Sequence, residues 1–211
     1  MRTMVFSRKQ KYFLLKLLSI FSSIRGINIF VLVLAQYLTA HYILAPGRSL
    51  IQLIYDFRLF SVIAASAAAT AAGYIINNFF DDKKDQINRP KKYILEHLVS
   101  QRTHLLLYFV LNMIAFGFAL AVSYRAFFFF VAYIFSIWLY SSVIKRLFWL
   151  SNFFAAVLMI LPFWAITLYF KNFDPVIFYH ATYLFFFILS RDIVKDLEKF
   201  KGDWVHRYQT I

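Results

Sequence analysis

The chain has 211 residues, of which 62% are hydrophobic, 21% aromatic and only 16% charged, a balance that excludes a soluble globular domain. Its net charge of +13 favours membrane lipids and phosphorylated substrates over nucleic acid as partners, because basic loops are what the positive-inside rule predicts for a membrane protein. The absence of cysteine excludes disulfides, thiolate metal sites and cysteine nucleophiles.

The N-terminal segment has a basic end followed by an apolar patch. Lys16 and Arg25 interrupt the apolar run and no small-residue cleavage site follows closely, which argues against a cleaved signal peptide. The pattern instead predicts an amphipathic helix lying on the membrane face. We therefore expect two parts, a basic arm over residues 1–26 and a transmembrane domain over residues 27–211.

Apolar stretches of about 20 residues, each long enough to cross roughly 30 Å of hydrocarbon, follow the arm. They predict an all-α fold, a polytopic transmembrane helix bundle of six spans. The second span is rich in Ala, Ser and Gly, which predicts a place inside the bundle, whereas the aromatic fourth and fifth are expected to contact lipid. The predicted spans are residues 27–45, 58–80, 103–124, 126–144, 148–170 and 175–194.

The basic residues are divided unequally between the two faces that these spans define. Of the 23 Lys and Arg residues, 19 fall in the arm, in the loops after the second and fourth spans, and in the C-terminal tail. Only Arg48, Arg58, Arg125 and Lys171 fall on the opposite face. This asymmetry predicts that both termini are cytoplasmic and that the protein lies in the cytoplasmic membrane.

The acidic residues show a second asymmetry, which the positive-inside rule does not explain. Eight of the ten lie on the predicted cytoplasmic face, and seven of those eight form two clusters at the ends of the second and sixth spans. Two helices ending on the same face could bring these clusters together across one cavity. The clusters are Asp81, Asp82 and Asp85, and then Asp192, Asp196, Glu198 and Asp203.

Helical spacing aligns the acids within each cluster. Asn77, Asp81 and Asp85 are four residues apart, and since four residues advance only about 40° around a helix, they share one stripe. Asp192 and Asp196 repeat this spacing. Carboxylates so close repel each other unless a cation joins them, and hard oxygen ligands suit Mg²⁺, which completes its coordination with water and substrate phosphate. Two facing stripes therefore predict a site for Mg²⁺ and a diphosphate.

Basic residues interleaved with these acids could neutralise phosphate oxygens directly. The alternative is a solvated cytoplasmic loop in which acids and bases pair with each other. Two clusters on one face with the same helical spacing favour the diphosphate site. The basic residues are Lys83, Lys84, Arg89, Lys91, Lys92, Lys145 and Arg146.

The stretch NNFFDDKKDQINRP resembles the first motif of the UbiA superfamily of intramembrane prenyltransferases, Asn-Asp-x-x-Asp-x-x-x-Asp followed by Asn, a base and Pro. Asn78 stands where the family usually has Asp. The matching residues are Asn77, Asp81, Asp85, Asn88, Arg89 and Pro90.

The stretch SRDIVKDLEKFKGD is similar to the family's second motif, in the form found in its geranylgeranylglycerol-phosphate branch. Asp192 replaces Glu and Lys199 replaces Asp, so each motif has lost one acid. The matching residues are Arg191, Lys195, Asp196, Glu198, Gly202 and Asp203.

The resemblance implies a role for each matching position. It implies metal ligation by Asn77, Asp81, Asp85, Asp192, Asp196 and Asp203, with Asp81, Asp85 and Asp196 as the catalytic acids. It further implies diphosphate binding by Arg89, Lys145 and Lys195, with a weaker match at Tyr140. The stretch SIRGIN resembles the start of the family's first span, which implies that Arg25 and Asn28 lie on the acceptor side of the cavity.

The activity implied by the resemblance is Mg²⁺-dependent transfer of a polyprenyl group from an allylic prenyl diphosphate to an aromatic or glycerol-phosphate acceptor. The family fold has nine transmembrane helices, so the six predicted here lead us to expect a domain that lacks the last three. The alternative is a catalytically impaired fragment or an accessory subunit that binds prenyl diphosphate without efficient turnover.

Overall fold

In this computed structural model the backbone is described for residues 7–147 and 150–205, and the side chains for residues 7–147 and 150–195. All regular structure in this part of the chain is helical. The helices are α1 (Arg8–Ser23), α2 (Gly26–Thr39), α3 (Leu50–Ile54), α4 (Phe57–Asn88), α5 (Pro90–Glu96), α6 (Gln101–Val122), α7 (Tyr124–Ser142), α8 (Leu150–Phe170) and α9 (Pro175–Val205). A π-helical turn, Ala40–Leu44, extends α2, and a 3₁₀ turn, Ile144–Arg146, follows α7.

Six helical segments of the described part are long and apolar enough to cross a membrane, which confirms the predicted bundle. Their limits agree with the predicted spans to within a few residues, except that the second continues much further as a regular helix. The segments are Gly26–Leu44, Phe57–Asn88, Gln101–Val122, Tyr124–Arg146, Leu150–Phe170 and Pro175–Lys195.

Helix α4 is the centre of the bundle, as its small residues predicted. In its most apolar window 72% of the residues are buried, against 17% in the corresponding window of α7. It packs against α2, α6, α7 and α8. At Gly73 an added Cβ would lie 2.9 Å from Ile137 Cγ2, so the close approach of α4 and α7 requires glycine there.

Helix α8 is more enclosed than its aromatic content predicted, because 44% of its most apolar window is buried. Its aromatic residues do reach the outside, with Phe153 44% exposed, but Ala156 on another face is fully buried. The side chain of Gln36 on α2 donates to the Pro162 carbonyl of α8 at 2.9 Å and to Ser66 Oγ of α4 at 3.2 Å. One amide thus joins three spans.

The end of the bundle where α4 begins is tied together by Asp56. Its Oδ1 accepts from the backbone N–H groups of Arg58 and Leu59 at 3.1 and 3.2 Å, which makes Asp56 the N-cap of α4, a position that favours Asp. Its Oδ2 accepts from the Tyr169 hydroxyl at 2.8 Å and from Arg48 Nη1 at 3.4 Å. This end is therefore held by hydrogen bonds between the start of α4, the end of α8 and the loop before α3.

At the other end, α4 continues to Asn88 and stops before Pro90, which cannot donate a backbone hydrogen bond and disfavours a helical residue before it. Pro90 begins the short helix α5, and α5 packs against α1. The 3₁₀ turn after α7 also reaches the end of α4, through Lys145 and Asp81. Predicted functional residues of α4, α5 and the turn after α7 thus lie at one end of the bundle.

Candidate active site

The first acidic motif lies on the last turns of α4. Asn77 and Asp81 are half-buried, and Asp85 has 17% of its side chain exposed. Because α4 is unbroken through this region, the four-residue spacing places all three on one stripe, as predicted. The helix therefore presents carbonyl and carboxylate oxygens in a row near the boundary of the apolar bundle.

Lys145 reaches this stripe from the turn after α7. Its ammonium donates to Asn77 Oδ1 at 2.8 Å and forms a close ion pair with Asp81 Oδ2. Asn77 Nδ2 in turn donates to Asp81 Oδ2 at 3.2 Å. The structure thus brings together three residues to which the sequence assigned metal and diphosphate binding, although they are separated along the chain.

A second cation, Lys92 of α5, lies beside Asp85. Its Nζ is 3.1 Å from Asp85 Oδ2, 3.1 Å from Asn78 Oδ1 and 3.7 Å from Glu96 Oε1. Only 20% of the Lys92 side chain and 11% of the Glu96 side chain are exposed. Glu96 was not among the predicted site residues, because it lies beyond the motif and becomes a neighbour of Asp85 only through the turn at Pro90.

The surroundings of Glu96 disfavour its charged form. Burial raises the pKa of the Glu96 carboxyl above its ordinary value; the nearby Lys92 ammonium opposes this rise and Asp85 adds to it. A hydrogen bond from Ser22 Oγ to Glu96 Oε1, at 3.3 Å, favours the carboxylate. Lys92 is therefore surrounded by oxygen acceptors in a place with little water, where its charge acts strongly on neighbours.

The predicted acceptor-side residues lie at the bend between α1 and α2. Arg25 has a left-handed backbone, with φ of 51°, and its guanidinium lies 4.6 Å from the centre of the Tyr74 ring. Tyr74 belongs to α4, one turn before the acidic stripe. Asn28 is exposed in the first turn of α2, and Arg89 is exposed at the junction of α4 and α5.

The second acidic cluster lies along α9. Asp192 and Lys195 are half-buried on this helix. The side chains of Asp196 and Asp203 fall outside the described part, so their predicted roles stay predictions. Helix α9 packs mainly on α8, which in turn contacts α4. That the two clusters face each other across a cavity also remains a prediction.

The residues of the stripe fit a hydrated divalent cation. Among the described residues, no three His, Cys, Asp or Glu side chains lie close enough to hold a metal alone. Yet oxygens of Asn77 and Asp81 converge on one cation, the Lys145 ammonium. Mg²⁺ needs only one or two carboxylates where water and substrate phosphate complete its coordination. This donor set therefore suits an ion that arrives with a diphosphate.

Asp82 belongs to a separate polar cluster. Its Oδ1 lies 3.3 Å from His97 Nε2, and its Oδ2 accepts from Gln101 Nε2 at 3.4 Å. These residues, with Asn78 and His104 among others, line a cavity of about 50 Å³. That volume suits a few water molecules. Asp82 therefore does not extend the stripe of Asn77, Asp81 and Asp85.

Sequence comparison relates most of the chain to one family. The sequence profile of the UbiA prenyltransferase family matches residues 16–211. A digeranylgeranylglyceryl phosphate synthase of Sulfurisphaera tokodaii is 28% identical over 163 residues, which cover 76% of this chain and 56% of the relative. The enzyme of the same name from Sulfolobus acidocaldarius is 28% identical over 144 residues, covering 63% of this chain and 48% of the relative. The chain thus spans about half the length of these curated relatives.

Structural comparison gives the same fold. A solved structure from work on digeranylgeranylglyceryl phosphate synthase in membranes superposes with a TM-score of 0.74 and 20% sequence identity. The superposition covers 93% of this chain and 68% of the solved one. At this level of identity the likeness establishes the fold and leaves the substrate to be argued from the site.

Proposed function

The chain belongs to the UbiA prenyltransferase family and is an integral membrane protein, and from this we propose that it transfers a polyprenyl group from an allylic prenyl diphosphate to a glycerol-phosphate acceptor. The observation that carries the proposal is the meeting of Asn77, Asp81 and Lys145 at the end of α4. Both named relatives are digeranylgeranylglyceryl phosphate synthases, which supports a glycerol-phosphate acceptor over an aromatic one.

The proposed cofactor is Mg²⁺, held by Asn77, Asp81 and Asp85 of the first motif, with Asp192, Asp196 and Asp203 as the ligands proposed for the second. When bound, the ion supplies positive charge that stabilises the leaving diphosphate. The catalytic role proposed for Asp81, Asp85 and Asp196 is to hold the Mg²⁺ beside the diphosphate oxygen on which negative charge develops. The position of Asp81 and Asp85 at the end of α4 suits a substrate with a charged head and an apolar tail.

The difficult step is heterolytic cleavage of the carbon–oxygen bond of the allylic diphosphate. The electron pair leaves with the diphosphate, and we propose that Lys145, Arg89 and Lys195 bind oxygens on which this charge develops. Lys145 is already beside the stripe and needs only to exchange a carboxylate for a phosphate oxygen. The apolar helices accept the prenyl tail and exclude water from the allylic cation. The acceptor hydroxyl forms the new carbon–oxygen bond, and its proton passes to an oxygen of the released diphosphate.

We propose that Arg25 and Asn28 bind the phosphate of the acceptor. Arg25 lies over Tyr74, whose turn of α4 directly precedes Asn77 and Asn78, so a phosphate bound there would be near the acidic stripe. A guanidinium suits this role because it binds phosphate oxygens in pairs. We further propose a basic arm over residues 1–26, a prenyltransferase domain over residues 27–211, cytoplasmic termini and the cytoplasmic membrane as location.

A second candidate function is binding of prenyl diphosphate without efficient turnover. Asn78 favours it. The family usually has an acid at this position, whereas Asn78 is a neutral amide that is already hydrogen-bonded to Ser23 and Lys92. The site then has one carboxylate fewer to hold metal. Turnover measured on the purified chain distinguishes the two functions.

The test is release of diphosphate from a prenyl diphosphate by the purified chain in lipid nanodiscs, with and without Mg²⁺, together with mass detection of prenylated glycerol phosphate. We expect Asp81→Asn to lower Mg²⁺-dependent transfer by roughly 100-fold, the scale of losing one group that stabilises a developing charge. The matched control is Asp174→Asn, because Asp174 is exposed before α9. Equal and small effects of both variants would contradict the proposed function and support a solvated loop.

A further inference from the structure

The last turns of α1 contact the protein through polar side chains. Ser19 and Ser23 are 0% and 2% exposed, whereas Phe13 and Leu18 on the opposite face are 62% and 54% exposed. Ser19 Oγ donates to the Glu96 carbonyl at 3.2 Å. Helix α1 is therefore held to the bundle by hydrogen bonds at its serine face, and its apolar face is left for lipid.

Asn78 uses both ends of its amide at this contact. Its Nδ2 donates to the Ser23 carbonyl at 3.1 Å, and its Oδ1 accepts from Lys92 Nζ at 3.1 Å. Lys92 also binds Asp85 Oδ2 at 3.1 Å. The amide thus connects the end of α1 to the cation beside the acidic stripe.

The carbonyl that Asn78 binds belongs to the bend that carries Arg25. Ser23 lies two residues before Arg25, and Arg25 adopts the left-handed backbone that turns the chain from α1 into α2. Side chains of α4 hold this bend at two points, Asn78 at the Ser23 carbonyl and Tyr74 at the Arg25 guanidinium. Since Tyr74 and Asn78 are one turn apart on α4, they set the bend against a single rigid surface.

We propose that Asn78 is a positioning residue that fixes the bend between α1 and α2 and so places Arg25 for the phosphate of the acceptor. The proposal rests on the proposed function for the role of Arg25. It gives a chemical reason for an amide at this position, because one end of the amide donates to the Ser23 carbonyl while the other end accepts from Lys92. An aspartate would put a carboxylate oxygen against the Ser23 carbonyl, and the two would repel.

The kinetic test is Asn78→Asp, measured as KM for prenyl diphosphate and for the glycerol-phosphate acceptor separately. We expect the acceptor KM to rise about tenfold, the effect of losing one hydrogen bond to a half-buried group. We expect Mg²⁺-dependent binding of prenyl diphosphate not to become tighter. The control is Gln86→Glu, which adds the same charge at an exposed position of α4. If Asn78→Asp instead tightens Mg²⁺-dependent binding, position 78 acts as a metal ligand site and the proposal is wrong. If the acceptor KM is unchanged, Asn78 does not place Arg25 and the proposal is also wrong.

A second measurement needs no turnover. Because the natural chain has no cysteine, Lys11→Cys on α1 and Lys91→Cys on α5 accept spin labels without background. We expect Asn78→Asp to broaden the distance distribution between these labels and Gln86→Glu to leave it unchanged. An unchanged distribution in Asn78→Asp would overturn the proposal. If the wild-type chain neither binds nor turns over prenyl diphosphate, the proposed function fails, while the label distances still decide the role of Asn78.

Discussion

At the scale of single residues, two lysines neutralise the acidic stripe from different elements. Lys145 pairs with Asp81 and Lys92 with Asp85, and 28% and 20% of the two lysine side chains are exposed. Charges removed from water in this way need good hydrogen-bond partners, because the loss of hydration is otherwise uncompensated. A diphosphate carrying Mg²⁺ would give each lysine a phosphate oxygen and each carboxylate a metal ion, so substrate binding can replace these pairs without leaving a charge unpaired.

Glu96 makes this end of the protein sensitive to pH. Because burial raises its folded-state pKa above the ordinary value of about 4.3, the folded chain binds this proton more tightly than the unfolded chain does. The contribution of Glu96 to stability is therefore greatest below the ordinary pKa and declines as the pH rises from there through the raised pKa. Glu96→Gln, which stays neutral, should gain stability relative to the wild type over that window.

The measurement is the apparent Tm of both proteins in detergent between about pH 4 and pH 8, near and above the ordinary carboxyl pKa. The difference between Glu96→Gln and wild type should grow with pH and then become constant. Asp174→Asn is the control, since Asp174 is exposed at the start of α9. A difference that shrinks as the pH rises would show that Lys92 outweighs burial at Glu96.

The sequence predicted Asn77, Asp81 and Asp85 as a stripe because four-residue spacing fixes their direction on any helix. The pairing of Lys92 with Asp85 and the two contacts of Asn78 depend on how α1 and α5 pack after the turn at Pro90. No local pattern in the sequence encodes that packing. For the same reason, the resemblance indicated that position 78 departs from the family motif but did not indicate what Asn78 contacts.

At the scale of the helices, the distance between α4 and α7 decides whether Lys145 reaches Asp81. Gly73 lies one turn before Asn77 and faces Ile137, where an added Cβ would be 2.9 Å from Cγ2. A branched side chain cannot turn this methyl group away without changing rotamer. Gly73→Ala should therefore push α7 outward and weaken Mg²⁺-dependent binding of prenyl diphosphate several-fold, since overpacking costs about 1–3 kcal/mol.

The matched control is Gly117→Ala in α6, because a Cβ at Gly117 meets no atom within 4 Å. It should bind prenyl diphosphate as the wild type does. Combining Gly73→Ala with Ile137→Ala removes the conflicting methyl group and should restore part of the affinity. If Gly73→Ala and Gly117→Ala bind equally well, the spacing of α4 and α7 does not control the site.

The helices themselves were the most predictable part of the fold, since length and apolarity alone define a span. The small residues of the second span also predicted its central place. For α8 the sequence was less informative, because its aromatic residues and its buried alanines occupy different faces of one uniformly apolar helix. Helix α4 extends beyond its predicted span because its charged end stays helical until the chain reaches Pro90.

At the scale of the whole molecule, the bundle has two chemically different ends separated by the length of α4. This helix has 32 residues and so extends about 48 Å, more than the hydrocarbon thickness of a bilayer. Arg48, Asp56 and Tyr169 close one end with a small hydrogen-bonded group. The candidate site and the basic helix α1 lie at the other end, so the orientation of the chain decides which compartment would supply the proposed phosphorylated substrates.

We predict that the end carrying the candidate site is cytoplasmic, because 19 of the 23 Lys and Arg residues fall on that face. The absence of cysteine allows a direct measurement with single-cysteine variants in intact cells. Gly47→Cys, in an exposed loop before α3, should react with a membrane-impermeant maleimide added outside. Lys91→Cys, exposed at the start of α5, should react only after the membrane is permeabilised, and the cysteine-free parent is the control for background. The opposite labelling pattern would place the candidate site outside the cytoplasm, and labelling of both positions from one side would contradict the path of α4 across the membrane.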